Sequence, residues 1–273
     1  MLKNKGTLAK AGICIPGPGR YRKSVIREAQ KLRGIPADSD FRDLLVASII
    51  DDDHASRLVL TIENLLCVHS RVFENGIIYD QASTRPANLR KLFPGLPVEF
   101  FLSVRNPATF IPAVFHHKNQ STPEFLSFMD KVEPDKILWS DVISALTDSN
   151  PGCRVTVWCN EDTPLIWPEV MTLITGFETA ANLEGGNDVL ASIMRNEGLA
   201  RMQTYLGTHP PRNEHQRRQI ALAFLDKYAI DDAIEEVLDV PGWTDDLVEE
   251  LTLNYEADLH KIAQMDQVRF ISA

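Results

Sequence analysis

The stretch Val98-Glu-Phe-Phe-Leu-Ser-Val-Arg-Asn-Pro107 decides how this chain is read. Seven residues, Val98 to Val104, form a near-continuous apolar run of strand-forming types. A strand apolar on both faces is one covered on both faces, the signature of a parallel sheet between helix layers. At its carboxyl end stand Arg105, then Asn106, whose side chain can accept from the next turn, then Pro107, whose fixed φ suits the first position of a helix. The decapeptide therefore predicts strand, turn and helix. In an open α/β sheet the carboxyl ends of strands are where ligands bind.

The same alternation extends in both directions. Toward the amino terminus a helix is predicted over 2–10, a short strand over 12–16 (GICIP), a basic helix over 20–32 and another over 40–50. A strand over 57–61 (RLVLT) and a helix over 87–93 follow. Toward the carboxyl terminus helices are predicted over 107–118, 123–131 and 138–147, with start signals at Asn106-Pro107, Thr122-Pro123 and Ser140-Asp141. A second buried strand covers 154–159 (RVTVWC). From Thr163-Pro164 the chain reads helical almost to its end, with Thr244 capping the last long helix before a short strand at 268–271. The fold class is α/β, a parallel sheet flanked by helices, with a largely helical carboxyl-terminal third. One domain over 1–273 is expected, its α/β core at about 1–165 and its mainly helical part at about 166–273.

The chain has 273 residues, 44% of them hydrophobic and 24% charged, with a formal net charge of −10. That is enough chain to bury a core without staples. The acidic balance and the lack of a Lys/Arg block argue against nucleic acid or an acidic membrane surface as a partner. Four cysteines without a C-x-x-C pair do not make a disulfide scaffold or a zinc knuckle, and no apolar run is long enough to span a bilayer. A reduced, cytoplasmic protein without a bound metal is expected.

Arg105 and Asn106 are the leading ligand candidates: a guanidinium beside free helix N-terminal amides is the equipment of a phosphate site. Glu63, just past RLVLT, is a strand-end carboxylate that can serve as general base. Glu161-Asp162-Thr163 follows RVTVWC, with Asp162 or Thr163 expected to cap the next helix and Glu161 free to orient a neighbour. Gly17-Pro18-Gly19-Arg20 superficially resembles a phosphate loop, but it lacks the G-x-x-x-x-G-K-[ST] spacing and Pro18 removes a donor. It reads as a helix start with a solvated basic face. Asp51-Asp52-Asp53-His54 holds consecutive acids, which do not converge on an ion. Arg212, Arg217 and Arg218 read as a solvated basic spot, and His116-His117 as a helix end.

Taken together, VEFFLSVRNPATFIPAVF (98–115), RLVLTIENLLC (57–67), VTVWCNEDTPLIW (155–167) and PGWTDDLVEELTLNYEADLHKI (241–262) resemble a bacterial branch of the sulfotransferase family. The resemblance implies a P-loop-NTPase-like three-layer fold. It also implies sulfuryl transfer from 3′-phosphoadenosine 5′-phosphosulfate to a hydroxyl or amine of a small-molecule or carbohydrate acceptor. Arg105 matches the family arginine that contacts the 3′-phosphate, and Glu63 falls where some members place a catalytic base. Two departures stand beside it. The family serine eight residues after the arginine is Ala113 here, and the family's K-T-[GA]-T-T loop for the 5′-phosphosulfate has no counterpart. The opening MLKNKGTLAKAGI resembles the later part of the helix that follows that loop. Little or no turnover is therefore expected of this chain. A non-catalytic nucleotide- or carbohydrate-binding descendant is the alternative, and another α/β transferase, such as a nucleotide-sugar enzyme, a third reading. A sheet short of one strand leaves an open edge, which favours a homo-oligomer.

Overall fold

The computed structural model describes residues 1–32, 34–50, 54–116, 122–130, 132–177, 183–234 and 240–273. Asp51–Asp53, His117 and the predicted helix ends at 117–118 and 131 lie outside the described residues.

Two parallel strand groups carry the architecture. In the first, β1 (Ile13–Cys14) pairs with β2 (Arg57–Leu58), and in the second β3 (Glu99–Val104) pairs with β4 (Arg154–Cys159), which pairs with β5 (Val268–Ile271). Between them run α1 (Lys5–Lys10), α2 (Pro18–Lys31), α3 (Ser39–Ile49), α4 (Thr84–Arg90), α5 (Pro107–His116), α6 (Thr122–Met129) and α7 (Trp139–Ser149). After β4 come α8 (Thr163–Thr175), α9 (Asp188–Ala191), α10 (Asn196–Thr208), α11 (Glu214–Tyr228), α12 (Asp231–Ile234) and α13 (Asp245–Ala263). The chain is thus α/β, with small parallel sheets flanked by helices.

The apolar run at 98–104 is sorted by the pleat. Phe100, Leu102 and Val104 face the largest core, where they meet Ile111 of α5, Val142 and Ile143 of α7, and Ile262 of α13. Phe101 points the other way, joining Trp158 and Ile271 against Ile166 and Val170 of α8. Both faces of β3 are covered, as a continuous apolar strand requires. The β1–β2 ribbon is sandwiched in the same manner. Leu58, Leu60 and Ile62 pack on Tyr21, Leu45 and Leu89 of α2, α3 and α4, while Ile13, Ile15 and Val59 pack on Leu8 of α1 and Met171 of α8. Each side chain fully buried in these layers contributes about 1.5–3 kcal/mol.

Four expectations need correction. The strand at 57–61 is paired only at Arg57 and Leu58, because its partner β1 ends at Cys14, whose carbonyl accepts from the Val59 N–H at 2.9 Å. Beyond it the backbone of Thr61 is taken by a phenol, its N–H donating to the Tyr21 hydroxyl at 2.6 Å and that hydroxyl donating to the Thr61 carbonyl at 3.1 Å. Among the described residues β2 and β3 exchange no backbone hydrogen bond. They are joined at their amino ends by side chains, where Arg57 reaches both Glu99 and the Ile174 carbonyl that ends α8. The start of α7 is not capped by Ser140-Asp141 itself. Its Ser140 N–H donates to Asp258 of α13, 2.9 Å away and 118 residues on. Asp162 does not cap α8 through its side chain either; its carboxylate instead accepts from the Ala273 N–H at 3.2 Å. Finally, Arg217 and Arg218 are not a solvated spot. Both side chains are only 13% exposed: Arg217 donates to the Leu165 carbonyl and pairs with Glu214, and Arg218 pairs with Glu169 and donates to the Ser272 carbonyl. These arginines clamp α11 to α8 and to the chain end.

The predicted cap at Thr244 is present, its hydroxyl accepting from the Leu247 N–H. Arg20, in the first turn of α2, donates to the Ser48 and Ile50 carbonyls at the end of α3. A cation there complements the dipole of α3.

Asp162 supplies a pH test. Burial is the largest influence on its carboxyl group and raises its pKa above the ordinary 3.8, outweighing the Ala273 N–H and the Arg218 charge, which lower it. A carboxyl whose folded pKa is raised binds its proton more tightly folded than unfolded. The ionised form is therefore a destabilising contribution, absent below the ordinary aspartate range and fully present above the raised folded value. Asp162→Asn, which keeps an acceptor for Ala273, is expected to raise the melting temperature near pH 7 by about 1–3 °C. The gain should fade as pH falls through the raised folded value and be gone below the ordinary aspartate pKa. A gain that grows toward low pH would contradict this sign.

Candidate functional site at the carboxyl edge of β3 and β4

Parallel strands send all their carboxyl ends to one edge, and the candidate residues gather there by topology. Val104 ends β3 and Cys159 ends β4, in register with each other. Arg105 leaves β3 with its Nε donating to Thr109 Oγ1 at 2.9 Å, while its carbonyl accepts from Trp139 Nε1 at 2.7 Å. That indole is 2% exposed and lies in an aromatic cluster, its ring 5.2 Å from Phe110 and 5.9 Å from Tyr79. Tyr79 has a φ of +50°, in the left-handed region that few aromatic residues enter. Packing against Phe110 and Trp139, together with its N–H bond to the Val72 carbonyl at 2.8 Å, holds it there.

Asn106 acts as the expected cap, its Oδ1 accepting from the Ala108 N–H at 3.0 Å. Its other groups are anchored from elsewhere: Nδ2 donates to Thr252 Oγ1 of α13 at 2.9 Å, and its backbone N–H donates to Glu161 Oε1 at 2.8 Å. The Glu161 carboxylate, sent up from the end of β4, therefore sits at the amino terminus of α5. A negative group there is stabilised by about 0.3–1 kcal/mol through the helix dipole. Its second oxygen lies 3.3 Å from the Tyr255 hydroxyl, which is also 3.2 Å from the Val104 carbonyl. Burial, then the Glu161 charge, push the Tyr255 phenol well above its usual pKa, so it stays a donor. Burial likewise raises the neighbouring Cys159 thiol to about 11, which leaves it protonated and unreactive near neutrality.

Glu63 stands at the end of the β2 segment, with a side chain 57% exposed and ion-paired to Arg22 of α2 at 2.9 Å. The structure thus gathers Asn106, Glu161, Thr252 and Tyr255 around the Arg105 turn, and holds Glu63 in its own pair. The Asn106-Glu161 contact joins two candidates that the strand-end rule picks separately. Thr252 and Tyr255 escape a reading of the sequence. Leu251, Tyr255, Asp258 and Ile262 form the buried face of α13, and the one signal available there is an aspartate interrupting that apolar stripe.

Among the described residues no group of three His, Cys, Asp or Glu side chains is placed to hold a metal ion, and no helix is long and apolar enough to cross a membrane. The site is defined by its class: a strand-end arginine and a capped helix amino terminus at the carboxyl edge of a parallel α/β sheet. No protein-family model, curated protein or solved structure matches the chain.

Proposed function

We propose that this chain is a sulfotransferase-like protein with a P-loop-type fold, binding the adenosine 3′,5′-bisphosphate part of 3′-phosphoadenosine 5′-phosphosulfate at the carboxyl edge of β3 and β4. The observation that carries the reading is the position of Arg105, at the end of a doubly covered parallel strand and the start of α5. In this reading Arg105 contacts the 3′-phosphate and Asn106 sets the first turn of α5 beneath it. Where the donor is held, Glu63, oriented by Arg22, is the group to take the proton of a hydroxyl or amine acceptor as the acceptor atom bonds to sulfur and the bond from sulfur to the bisphosphate breaks. Without a counterpart of the 5′-phosphosulfate loop, this chain is expected to bind the bisphosphate with little or no turnover. Positioning and charge stabilisation are what such an in-line transfer needs from a protein.

A second reading, a non-catalytic nucleotide- or carbohydrate-binding descendant, is favoured by Glu161. Its carboxylate occupies the Asn106 amide, so an incoming phosphate meets a negative group at a donor it would use. Calorimetric titration with adenosine 3′,5′-bisphosphate tests both. Arg105→Ala is expected to weaken binding roughly 10- to 100-fold, the range of a lost charged hydrogen bond. Glu161→Gln removes the competing charge and is expected to tighten it about fivefold. No binding by the wild type sinks the bisphosphate reading in either form. Binding without transfer of labelled sulfate to any of a panel of sugars, phenols and amines leaves the non-catalytic form standing and overturns the transferase.

A further inference from the structure

Charge is segregated along the carboxyl-terminal third. Residues 195–228 hold six Lys/Arg against three Asp/Glu, with Arg217 and Arg218 among the six turned onto α8 and the chain end, whereas residues 229–262 hold eleven Asp/Glu against one Lys. The first segment is the α10–α11 hairpin and the second contains α13.

The hairpin carries an open groove of about 520 Å³ between its two helices, lined by Arg201, Thr204, Tyr205, Phe224, Lys227 and Tyr228 among others. Its floor is aromatic: Tyr205 is 42% exposed, with its ring 6.1 Å from Phe224. One end is cationic, with Arg201 and Lys227 at 5.9 and 5.6 Å from the centre of the Tyr228 ring. Arg201 also pairs with Glu197, but both side chains are at least 60% exposed, and such a pair exchanges readily for another. On α13, Asp246, Glu249, Glu250 and Leu253 form one outward stripe, and Leu253 is 59% exposed.

The two surfaces are opposite in sign, and the one-turn step shared by all α-helices lets their side chains fall into register. Arg201 and Tyr205 are one helical turn apart, and so are Glu249 and Leu253, each step about 6 Å along its axis. An α13 stripe laid along the groove in the direction of α10 would set Glu249 and Glu250 on Arg201 and Lys227, and Leu253 on Tyr205 and Phe224. A helix seated in a groove between two others is a common recognition mode.

We propose that the α10–α11 groove receives the α13 stripe of a second copy of this chain. Groove and stripe are different surfaces, so the contact is heterologous and each copy offers both halves. The net charge of −10 on each copy opposes approach at long range. At physiological salt the screening length is about 8 Å, which damps that repulsion and spares charges in direct contact. The stripe lies on α13, the helix whose other face carries Thr252 and Tyr255 of the candidate site.

Sedimentation at physiological salt, over protein concentrations from about 5 to 300 µM, reads the association of so small a contact. Wild-type protein is expected to self-associate across this range. Arg201→Glu with Lys227→Glu, and separately Glu249→Lys with Glu250→Lys, should each weaken association at least about tenfold, since like charges are then opposed. An equimolar mixture of the two reversed proteins should associate again, which also proves that both are folded. A wild type that stays monomeric throughout, reversals without effect, or a mixture that fails to recover overturns the proposal. So does a groove that binds an acidic peptide, sensitive to Arg201→Glu, while the chain remains monomeric.

Discussion

Replacing Trp139 with alanine is expected to destabilise the protein by about 3–5 kcal/mol, the range for removing a large buried aromatic side chain. The indole is almost wholly enclosed, packs on Phe110 and Tyr79, and donates to the Arg105 carbonyl at 2.7 Å. The variant loses the packing and leaves that carbonyl without its donor, a further contribution of about 1 kcal/mol. For a chain of this size the melting temperature should fall by roughly 8–15 °C. Trp139→Phe separates the two parts, because it keeps an aromatic ring but no N–H, and should lose about 1–2 kcal/mol. Both variants should also weaken the adenosine 3′,5′-bisphosphate binding proposed at Arg105, whose turn the indole holds in place. Urea unfolding checks the stabilities, and a loss below about 1 kcal/mol for the alanine variant would show that the aromatic cluster does not hold this edge.

A single methyl group at Gly198 is expected to destabilise the protein as well, against its helix propensity. Gly198 lies inside α10 without a left-handed φ, so helix propensity alone would make alanine about 1 kcal/mol better. A Cβ there, however, would stand 2.3 Å from Tyr228 Cβ and 2.5 Å from its Cγ. Those atoms are close to the α11 backbone and cannot swing aside. The Tyr228 carbonyl is also pinned by the Arg195 N–H at 2.8 Å, and the Ile230 N–H by the Ile193 carbonyl at 2.9 Å. The two helices must part, and overpacking of this kind costs about 1–3 kcal/mol. Gly198→Ala should therefore lose about 1 kcal/mol net, the overpacking cost less the propensity gain, and, by moving Tyr228, weaken the self-association proposed above. A stabilised variant would mean that α10 and α11 separate without resistance.

Much of the scaffold is legible in the chain because its signals are local. Val98–Val104 and Arg154–Cys159 are apolar on both faces, and that suffices for strands covered on both sides. Asn106-Pro107 and Thr244 carry their helix starts in their own side chains, so both caps can be located without coordinates. The strand at 57–61 misleads because pattern reports which residues are strand-like and not whether a neighbouring strand is there to pair with them. The Tyr21 hydroxyl takes the backbone of Thr61 instead.

The candidate site divides along the same line. A parallel α/β architecture, with Arg105 and Asn106 at a strand end, follows from period and turn chemistry within ten residues, and needs no knowledge of the rest of the molecule. What surrounds those two residues comes from packing. Glu161 reaches Asn106 across 55 residues, Thr252 across 146, and Asp258 caps α7 across 118. A capping oxygen can come from any element folded nearby, because a helix amino terminus selects for charge and geometry and is indifferent to chain order. Contacts of that kind are fixed by laying α13 across the ends of α5 and α7, and no local pattern encodes them.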